Sequence, residues 1–348
     1  MSLTHTGTQP IETERLLLRR FTMADTEDMF REWAGDENVT RYLAFEPHKS
    51  AGETKTILAQ WIVGYEELNN YQYAIEIKNS SELIGSITVR IRNEKSKTAD
   101  VGYCIGVKYW NNGYTSEALQ ALIHYMFYDV GVNRIEAYHS VNNPASGKVM
   151  QKAGMYREGM CRQKYMSNVG YQDSDIYGLV REDFDKIYMP QTEKFLDLSK
   201  TELTGHNLKL ECIDYFKGDR NKKYVPAYSF NIKEKNSDTI LGEIGLRLGF
   251  NDNLYYGGHI GYSVKNEFRN MGIATIATKI VLDLARTHGF NKIIITNEHM
   301  NKASRRVCEK SGAKLVRIAP LPVWHELYIE GQRFVSIYEV DFTSDIVI

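Results

Sequence analysis

The strongest constraint on how this chain can fold is an internal repeat. Gly102 to Leu119 reads GYCIGVKYWNNGYTSEAL and Gly261 to Ala277 reads GYSVKNEFRNMGIATIA, so Gly102/Gly261, Tyr103/Tyr262 and Gly113/Gly272 each lie 159 positions apart. Downstream the register moves by one: Gly131/Gly289, Asn133/Asn291, Asn143/Asn301, Ser146/Ser304 and Gly154/Gly312 are each 158 apart. Two such series in register imply two copies of one unit and exclude a single undivided fold. A chain of 348 residues has room for two domains, each long enough to bury its own core.

Each copy opens as a strand, passes through a tight turn and closes as a helix. In the first copy the helix shows Leu119, Leu122, Ile123, Met126 and Phe127 at helical spacing. A helix that begins at such a turn aims unpaired backbone N–H groups at one spot, and its dipole adds partial positive charge there. That spot suits a pyrophosphate. A lone Asn112-Gly113 turn would more simply join two elements; recurrence at Gly272 is what points to a ligand.

Composition narrows the partners. A net charge of −1 provides no field to gather nucleic acid or an anionic membrane, so neither is expected as a partner. Apolar residues at 43% and charged residues at 25% are those of an ordinary globular chain. Cys104, Cys161, Cys212 and Cys308 are far apart and form no CxxC pair, which argues for a reducing compartment and against structural zinc or a disulfide frame. The start, MSLTHTGTQP, has no basic-then-apolar leader, and nowhere do eighteen apolar residues stand together, so a cytoplasmic protein is expected.

Taken in order, Ile11–Phe21 is expected as a strand, with Thr22 and Asp25 opening a helix through Trp33 and Ser50 with Glu53 opening a second helix. Strands follow at 73–78, 83–91 and 98–109, then the central helix, a strand at 134–141, and a short helix capped by Asn143 with Pro144 at its first position. Two strands near 156–166 and 172–180 end the first domain, 10–184, and 185–204 reads as a linker. The second domain, 205–345, repeats this order but passes from a strand at 206–215 through polar residues 217–223 to a strand at 225–233, so the two helices near Thr22 to Leu68 have no counterpart. It continues with strands at 240–250 and 259–265, a helix at 274–287, a strand at 292–297, a helix at 303–311 and a hairpin over 314–342.

This order resembles the GCN5-related N-acetyltransferase (GNAT) superfamily over both halves. The first half is similar to its ribosomal-protein N-terminal acetyltransferases, in TERLLLRRFTMAD, WNNGYTSEAL, NPASGKVMQKAGM and YREGMCR. The resemblance implies an α/β (α+β) fold: two tandem units, each with a mixed, mostly antiparallel sheet flanked by helices, the second lacking the two N-terminal helices. It implies acetyl-CoA as donor, an amine acceptor, no metal, and room for a homodimer. The family's pyrophosphate pattern, Arg or Gln, two residues, Gly, one residue, Gly or Ala, is met by Arg269, Gly272 and Ala274; the first half has Trp110, Gly113 and Thr115. Cofactor contacts are thereby expected at Ile105, Val107, Asn111, Asn112, Gly113, Tyr114 and Thr115, and at Val264, Arg269, Asn270, Met271, Gly272, Ile273 and Ala274.

The resemblance further implies that the strand before the turn splays from the strand after the helix to admit the pantetheine arm, with backbone amides orienting the thioester. Asn143 and Asn301 would hold cofactor or a relay water, and Ser146 and Ser304 would protonate the departing thiolate. The plainer reading of the same residues is an N-cap Asn with a Ser at the third helical position. Met150 and Cys308 stand where many relatives carry an acidic tyrosine. The branch's carboxylate base, on the penultimate strand, falls at Glu326 in the second half but at Tyr165 in the first, where Asp100 is a substitute; His259 is its second-half equivalent. The acceptor is expected near the first half's helices or between the halves, with Trp61, Tyr71 and Tyr73 as pocket candidates. The competing reading is an acyl-CoA-binding module with one or both halves inactive.

Overall fold

The computed structural model describes residues 2–201, 203–219 and 221–343. Glu202 of the expected linker, and Arg220, Ser344 and Asp345 of the expected second domain, lie outside the described residues. The chain divides into two compact units, Met1–Phe184 and Asp185–Ile348.

In the first unit the strand expected over 11–21 is instead a tight hairpin, β1 (Ile11–Glu12) and β2 (Leu16–Arg19), with Ile11 opposite Leu18. The buried positions change phase across the reversal, from Ile11 and Thr13 to Leu16 and Leu18. Thr13 makes the turn, its hydroxyl accepting from Leu16 N–H at 2.9 Å. Thr22 and Asp25 form the expected capping box, and Met23–Ala34 coils as a 3₁₀ turn, α1 (Thr26–Met29) and a π turn in succession. A short helix that the pattern did not reveal, α2 (Glu37–Thr40), is capped by Asp36. α3 (Ala51–Val63) starts at Ser50, which accepts from Glu53 N–H; the Glu53 carboxylate reaches one residue further back, to Lys49 N–H.

Strands β3 (Tyr71–Ile77), β4 (Glu82–Asn93) and β5 (Thr98–Ile105) continue the sheet antiparallel from β2. β5 ends four residues earlier than expected, because Val107–Tyr109 turns as 3₁₀. α4 (Tyr114–Tyr125) leads to β6 (Arg134–Ser140), parallel to β5; α5 (Pro144–Lys152), β7 (Tyr156–Ser167) and β8 (Gly170–Val180) follow, with β8 between β6 and β7. The N-terminal helices cover one sheet face in a core of Phe21, Trp33, Leu58, Tyr65, Ala74 and Leu83. α6 (Arg181–Lys186) follows β8.

In the second unit β9 (Thr204–Gly205), β10 (Leu208–Phe216), β11 (Ala227–Glu234), β12 (Ile240–Arg247) and β13 (Ile260–Val264) form an antiparallel sheet in the order β13-β12-β11-β10-β9. Between β10 and β11 the described residues make a turn closed by an Asp219–Tyr224 bridge. β12 stops at Arg247 and is followed by an unexpected helix, α7 (Asp252–Gly257). After α8 (Ile273–Thr287), β14 (Lys292–Glu298) and α9 (Lys302–Lys310), the hairpin expected over 314–342 is β15 (Lys314–Pro320) and β16 (Phe334–Asp341) with α10 (Glu326–Ile329) inserted. α8 packs Ala277, Val281 and Leu284 onto Phe230, Ile244 and Leu246. No helix among the described residues is long and apolar enough to cross a membrane, and all four cysteines are unpaired.

Candidate active site

The two units open their sheets at the same place. β5 pairs with β6 only over Thr98–Asp100 and Arg134–Glu136, after which the strands part. In the second unit, contact is made just before β13, where His259 N–H donates to the Ile294 carbonyl at 2.8 Å. At the far end Gly106 N–H donates to Ile84 O and Lys265 N–H to Leu241 O, each at 2.9 Å. Strand alternation then turns the N–H groups of Ile105 and Val264 to the open edge. The bend is set by Gly85 and Gly242, where a Cβ would lie 2.3 Å from Cys104 O and 2.2 Å from Ser263 O. Sequence reasoning passed over these glycines, although Ile84-Gly85 and Leu241-Gly242 recur 157 positions apart.

The turn is repeated nearly torsion for torsion. Asn111 and Asn270 both have φ +62°, and Gly113 and Gly272 have +79° and +78°. This left-handed backbone is why glycine and asparagine stand there. The first amides of α4 (Tyr114, Thr115) and of α8 (Ile273, Ala274) have no intrahelical acceptor, while Val107, Asn112 and Met271 are exposed around them. Trp110 and Arg269, unlike in chemistry, do one job. The Trp110 indole N–H donates to Ile105 O at 2.9 Å, and the Arg269 Nε–H donates to Val264 O at 3.2 Å. Each closes the turn onto the end of its strand.

The surroundings differ. Glu117, in the first turn of α4, accepts from Thr13 Oγ1 at 2.6 Å, Arg15 N–H at 2.9 Å and Arg15 Nε–H at 2.7 Å. Arg15 also donates to Asn112 O at 3.0 Å and lies over the Tyr114 ring. α8 has Ile276 at the matching position and no acid in its first turn. A cavity of about 1060 Å³ runs from this turn to α9, lined by Arg269, Gly272, Ala274, Asn297, Ser304 and Arg306 among others.

Ser146 and Ser304 each meet a tyrosine from the splayed strand. Tyr103 Oη lies 3.0 Å from Ser146 Oγ and donates to the Ser146 carbonyl at 2.9 Å; Tyr262 Oη lies 2.8 Å from Ser304 Oγ. Burial pushes Tyr262 up to about 12 and Tyr103 higher still, so both phenols stay protonated at neutral pH. Asn301 accepts from Ser304 N–H at 3.1 Å as an N-cap, whereas Asn143 occupies the same position without a side-chain capping bond. Met150 and Cys308 are buried, and burial raises the Cys308 thiol to about 12. Two further residues escaped the sequence reading. His139 Nε2 and Asn297 Oδ1, buried on β6 and β14 at positions 158 apart, have no hydrogen-bond partner among the described residues.

The expected bases require correction. Glu326 is not on a strand: Pro320 and Pro322 end β15, His325 caps α10 by accepting from Leu327 N–H at 3.2 Å, and Glu326 is the exposed first residue of that helix. Its neighbour Leu327 lines the large cavity. Asp100 sits where β5 and β6 still pair, gripped by the Arg92 guanidinium at 2.7 and 2.8 Å. Tyr165 donates to Tyr42 O at 2.7 Å. His259 is fully buried and stacked on Phe250; its Nδ1 accepts from Ile294 N–H at 3.0 Å and its Nε2–H donates to Tyr188 O at 3.1 Å. Burial lowers it to about 4, so it is a neutral structural group. Tyr71 and Tyr73 are fully buried in the core rather than lining a pocket, and Trp61 packs on Phe21.

The family described as acetyltransferase (GNAT) domain matches residues 15–156 and again 177–314. The chain therefore belongs to the GNAT family, with two copies of its domain, and is an acetyl-CoA-dependent N-acetyltransferase. It is 33% identical over 171 residues to the uncharacterized N-acetyltransferase YoaA of Bacillus subtilis, covering 49% of this chain and 96% of that one. It is 32% identical over 110 residues to the ribosomal-protein-serine acetyltransferase of Escherichia coli, covering 32% and 62%. A solved GNAT-family acetyltransferase from Bacillus anthracis aligns over 50% of this chain and 99% of its own, at 28% identity and a TM-score of 0.44.

Proposed function

We propose that the protein passes the acetyl group of acetyl-CoA directly to a primary amine, a protein N-terminus or a small-molecule amine, in a ternary complex, and that the second unit is the principal site. The carrying observation is the single cavity that has the acid-free α8 turn at one end and Ser304, held by Tyr262, at the other. The diphosphate takes the amides of Gly272, Ile273 and Ala274 with Arg269, Asn270 and Met271 around it, and the pantetheine arm takes the open-edge amide of Val264. The neutral amine attacks the thioester carbon, and fixed N–H donors on that edge stabilise the oxyanion. Collapse breaks the C–S bond; the thiolate takes the Ser304 proton, which a proton from water restores, with Asn301 orienting the helix start. The proton lost from the amine leaves through water, with Glu326, next to the cavity-lining Leu327, as its proposed acceptor. A lysine amine near ~10.4 needs this help more than an α-amine near ~8.

The units are read as domains 10–184 and 205–345 joined by 185–204, the second a GNAT fold without the first two helices. A second reading applies to the first unit alone. Its turn faces the Glu117 carboxylate, Arg15 is already committed to it, and Asp100 is committed to Arg92. It would bind coenzyme through Ile105, Asn111, Asn112, Gly113 and Thr115 with little transfer by Asn143 and Ser146. Calorimetry with acetyl-CoA counts the sites, and transfer to peptides, polyamines and aminoglycosides separates catalyst from binder. Tight binding with no turnover of any acceptor would leave only the binding module.

A further inference from the structure

The second unit holds a guanidinium that makes no ion pair among the described residues, Glu326 acting on it only through its charge. Arg247, at the end of β12, is largely withdrawn from solvent, and burial pulls it below its ordinary range. Among the described residues it makes no ion pair; its one hydrogen bond is from Nη1 to the Gly258 carbonyl at 3.0 Å. A guanidinium carries five N–H donors, so most are uncommitted. The first unit does not repeat this. Arg90, opposite Asp100 in the register, is exposed, whereas Arg247 N–H pairs with the carbonyl of the neutral His259.

Arg247 borders two cavities. A smaller one, about 310 Å³, lies over the sheet against Ser229, Glu243, Gly245, Arg247, Gly261 and Ser263. The larger coenzyme cavity shares Arg247, Gly261, Tyr262 and Ser263 with it, so the two are contiguous. Gly261 lies against the guanidinium: a Cβ there would stand 3.6 Å from it, in ordinary contact. At the other end of the same strand face stands Glu243, paired with Ser263 beside the point where the thioester is placed above. Glu243 and Arg247 are four positions apart on the strand, roughly 13 Å between Cα atoms.

We infer that the smaller cavity is the acceptor site of the second unit and that it selects an amine carrying a carboxylate several bonds away, the carboxylate on Arg247 and the amine toward Glu243 and Ser263. A buried, unpaired charge is costly, and a bidentate carboxylate supplies the missing partner. An acceptor without the carboxylate leaves Arg247 desolvated and unpaired, which is how a polar site rejects an analogue.

The site is read on the acetyl-transfer function proposed above, and the two fail differently. Using the full chain and acetyl-CoA, 6-aminohexanoate is compared with 6-aminohexanamide and hexylamine, in wild type, Arg247→Met and Arg247→Lys. In wild type the carboxylate is expected to raise kcat/KM about 30-fold over the amide, mainly through KM. Arg247→Met should erase that ratio by lowering the acid toward the amide, and Arg247→Lys should keep part of it. Equal rates for acid and amide, or an equal loss with all three acceptors in Arg247→Met, overturn the acceptor assignment and leave the transferase reading standing. Should no acceptor turn over, titration of the CoA-loaded protein with 6-aminohexanoate and its amide still decides: preference for the acid that Arg247→Met abolishes supports the site, and equal binding overturns it.

Discussion

Across three adjacent strands the first unit places Ala74, Ser86 and Cys104 in one row, and the second places Asn231, Glu243 and Ser263 in the matching row. The first row lies under the N-terminal helices: Ala74 is fully buried, Ser86 nearly so, and burial raises the Cys104 thiol to about 11. Among the described residues of the second unit no helix stands between β10 and β11 to lie over its row, and Glu243 and Ser263 are exposed. The opposite face remains apolar in both, with Tyr73 matched by Phe230 and Ile75 by Ile232. The duplicates thus diverge where a layer is absent and hold where it is present, and the uncovered face acquires charge near a site that handles amines and anions.

The largest effect that would break this comparison concerns the turns. Gly272→Trp forces a side chain into left-handed backbone at the mouth of α8, and acetyl-CoA affinity at that unit should fall more than about 100-fold. Gly113→Trp should remove the weaker of two calorimetric sites, because Glu117 already faces that turn. If Gly113→Trp removes the tighter site instead, the ranking of the units is reversed.

Exchanging the rows tests the covered face directly. Ser86→Glu places a carboxylate beneath the first unit's helices and should cost about 4 kcal/mol in denaturant unfolding. The reverse change, Glu243→Ser, should move stability by less than about 0.5 kcal/mol. Similar costs for both would show that the two faces are equally enclosed.

At the reaction centre, Ser304→Ala should lower kcat about 100-fold with little change in KM, the ordinary scale for a lost proton donor. Ser146→Ala should lower overall turnover far less. Equal losses would make the two units equal catalysts.

Much of this was legible because the repeat fixes positions without reference to any structure. The Asn-x-Gly turn, the Ser50 and Thr22 caps and the order of strands follow from local chemistry that tertiary context does not override. The hairpin at Thr13 was hidden because the change of phase it imposes falls on Leu16-Leu17-Leu18, a run apolar at every position. Glu326 was misplaced because its assignment assumes an unbroken penultimate strand, and Pro322 breaks it. Trp110 looked like a departure from the pyrophosphate pattern only at the level of residue type; its indole N–H supplies the bond that Arg269 supplies in the other copy. Arg247 was invisible because what matters there is a missing carboxylate, and a sequence does not display which charges lack partners.

Acid separates the units by the smallest expected effect. His259, buried between Ile294 and Tyr188, titrates at about 4 in the folded second unit against an ordinary 6.5. Because the folded value is the lower one, the unfolded chain takes up the proton first as pH falls. Stability is full above about 6.5, declines down to about 4, and by pH 5 has lost about 2 kcal/mol from this residue alone. Burial lowers His288 in the same unit, so it adds to the decline; burial lowers His48 in the first unit as well, where it is partly buried. The first unit's Asp25 behaves oppositely: burial alone would raise it, but Arg19 and Thr22 hold it below the ordinary carboxylate range, so its contribution persists down to about pH 4 and is lost only beneath that. Hydrogen exchange followed by mass spectrometry from pH 7 to 5, corrected for intrinsic rates, should therefore show protection falling in β14 before β4. His259→Gln should flatten the β14 response while lowering its protection at pH 7, since an amide cannot reach both Ile294 N–H and Tyr188 O; simultaneous loss in β4 and β14 would mean that the units unfold as one.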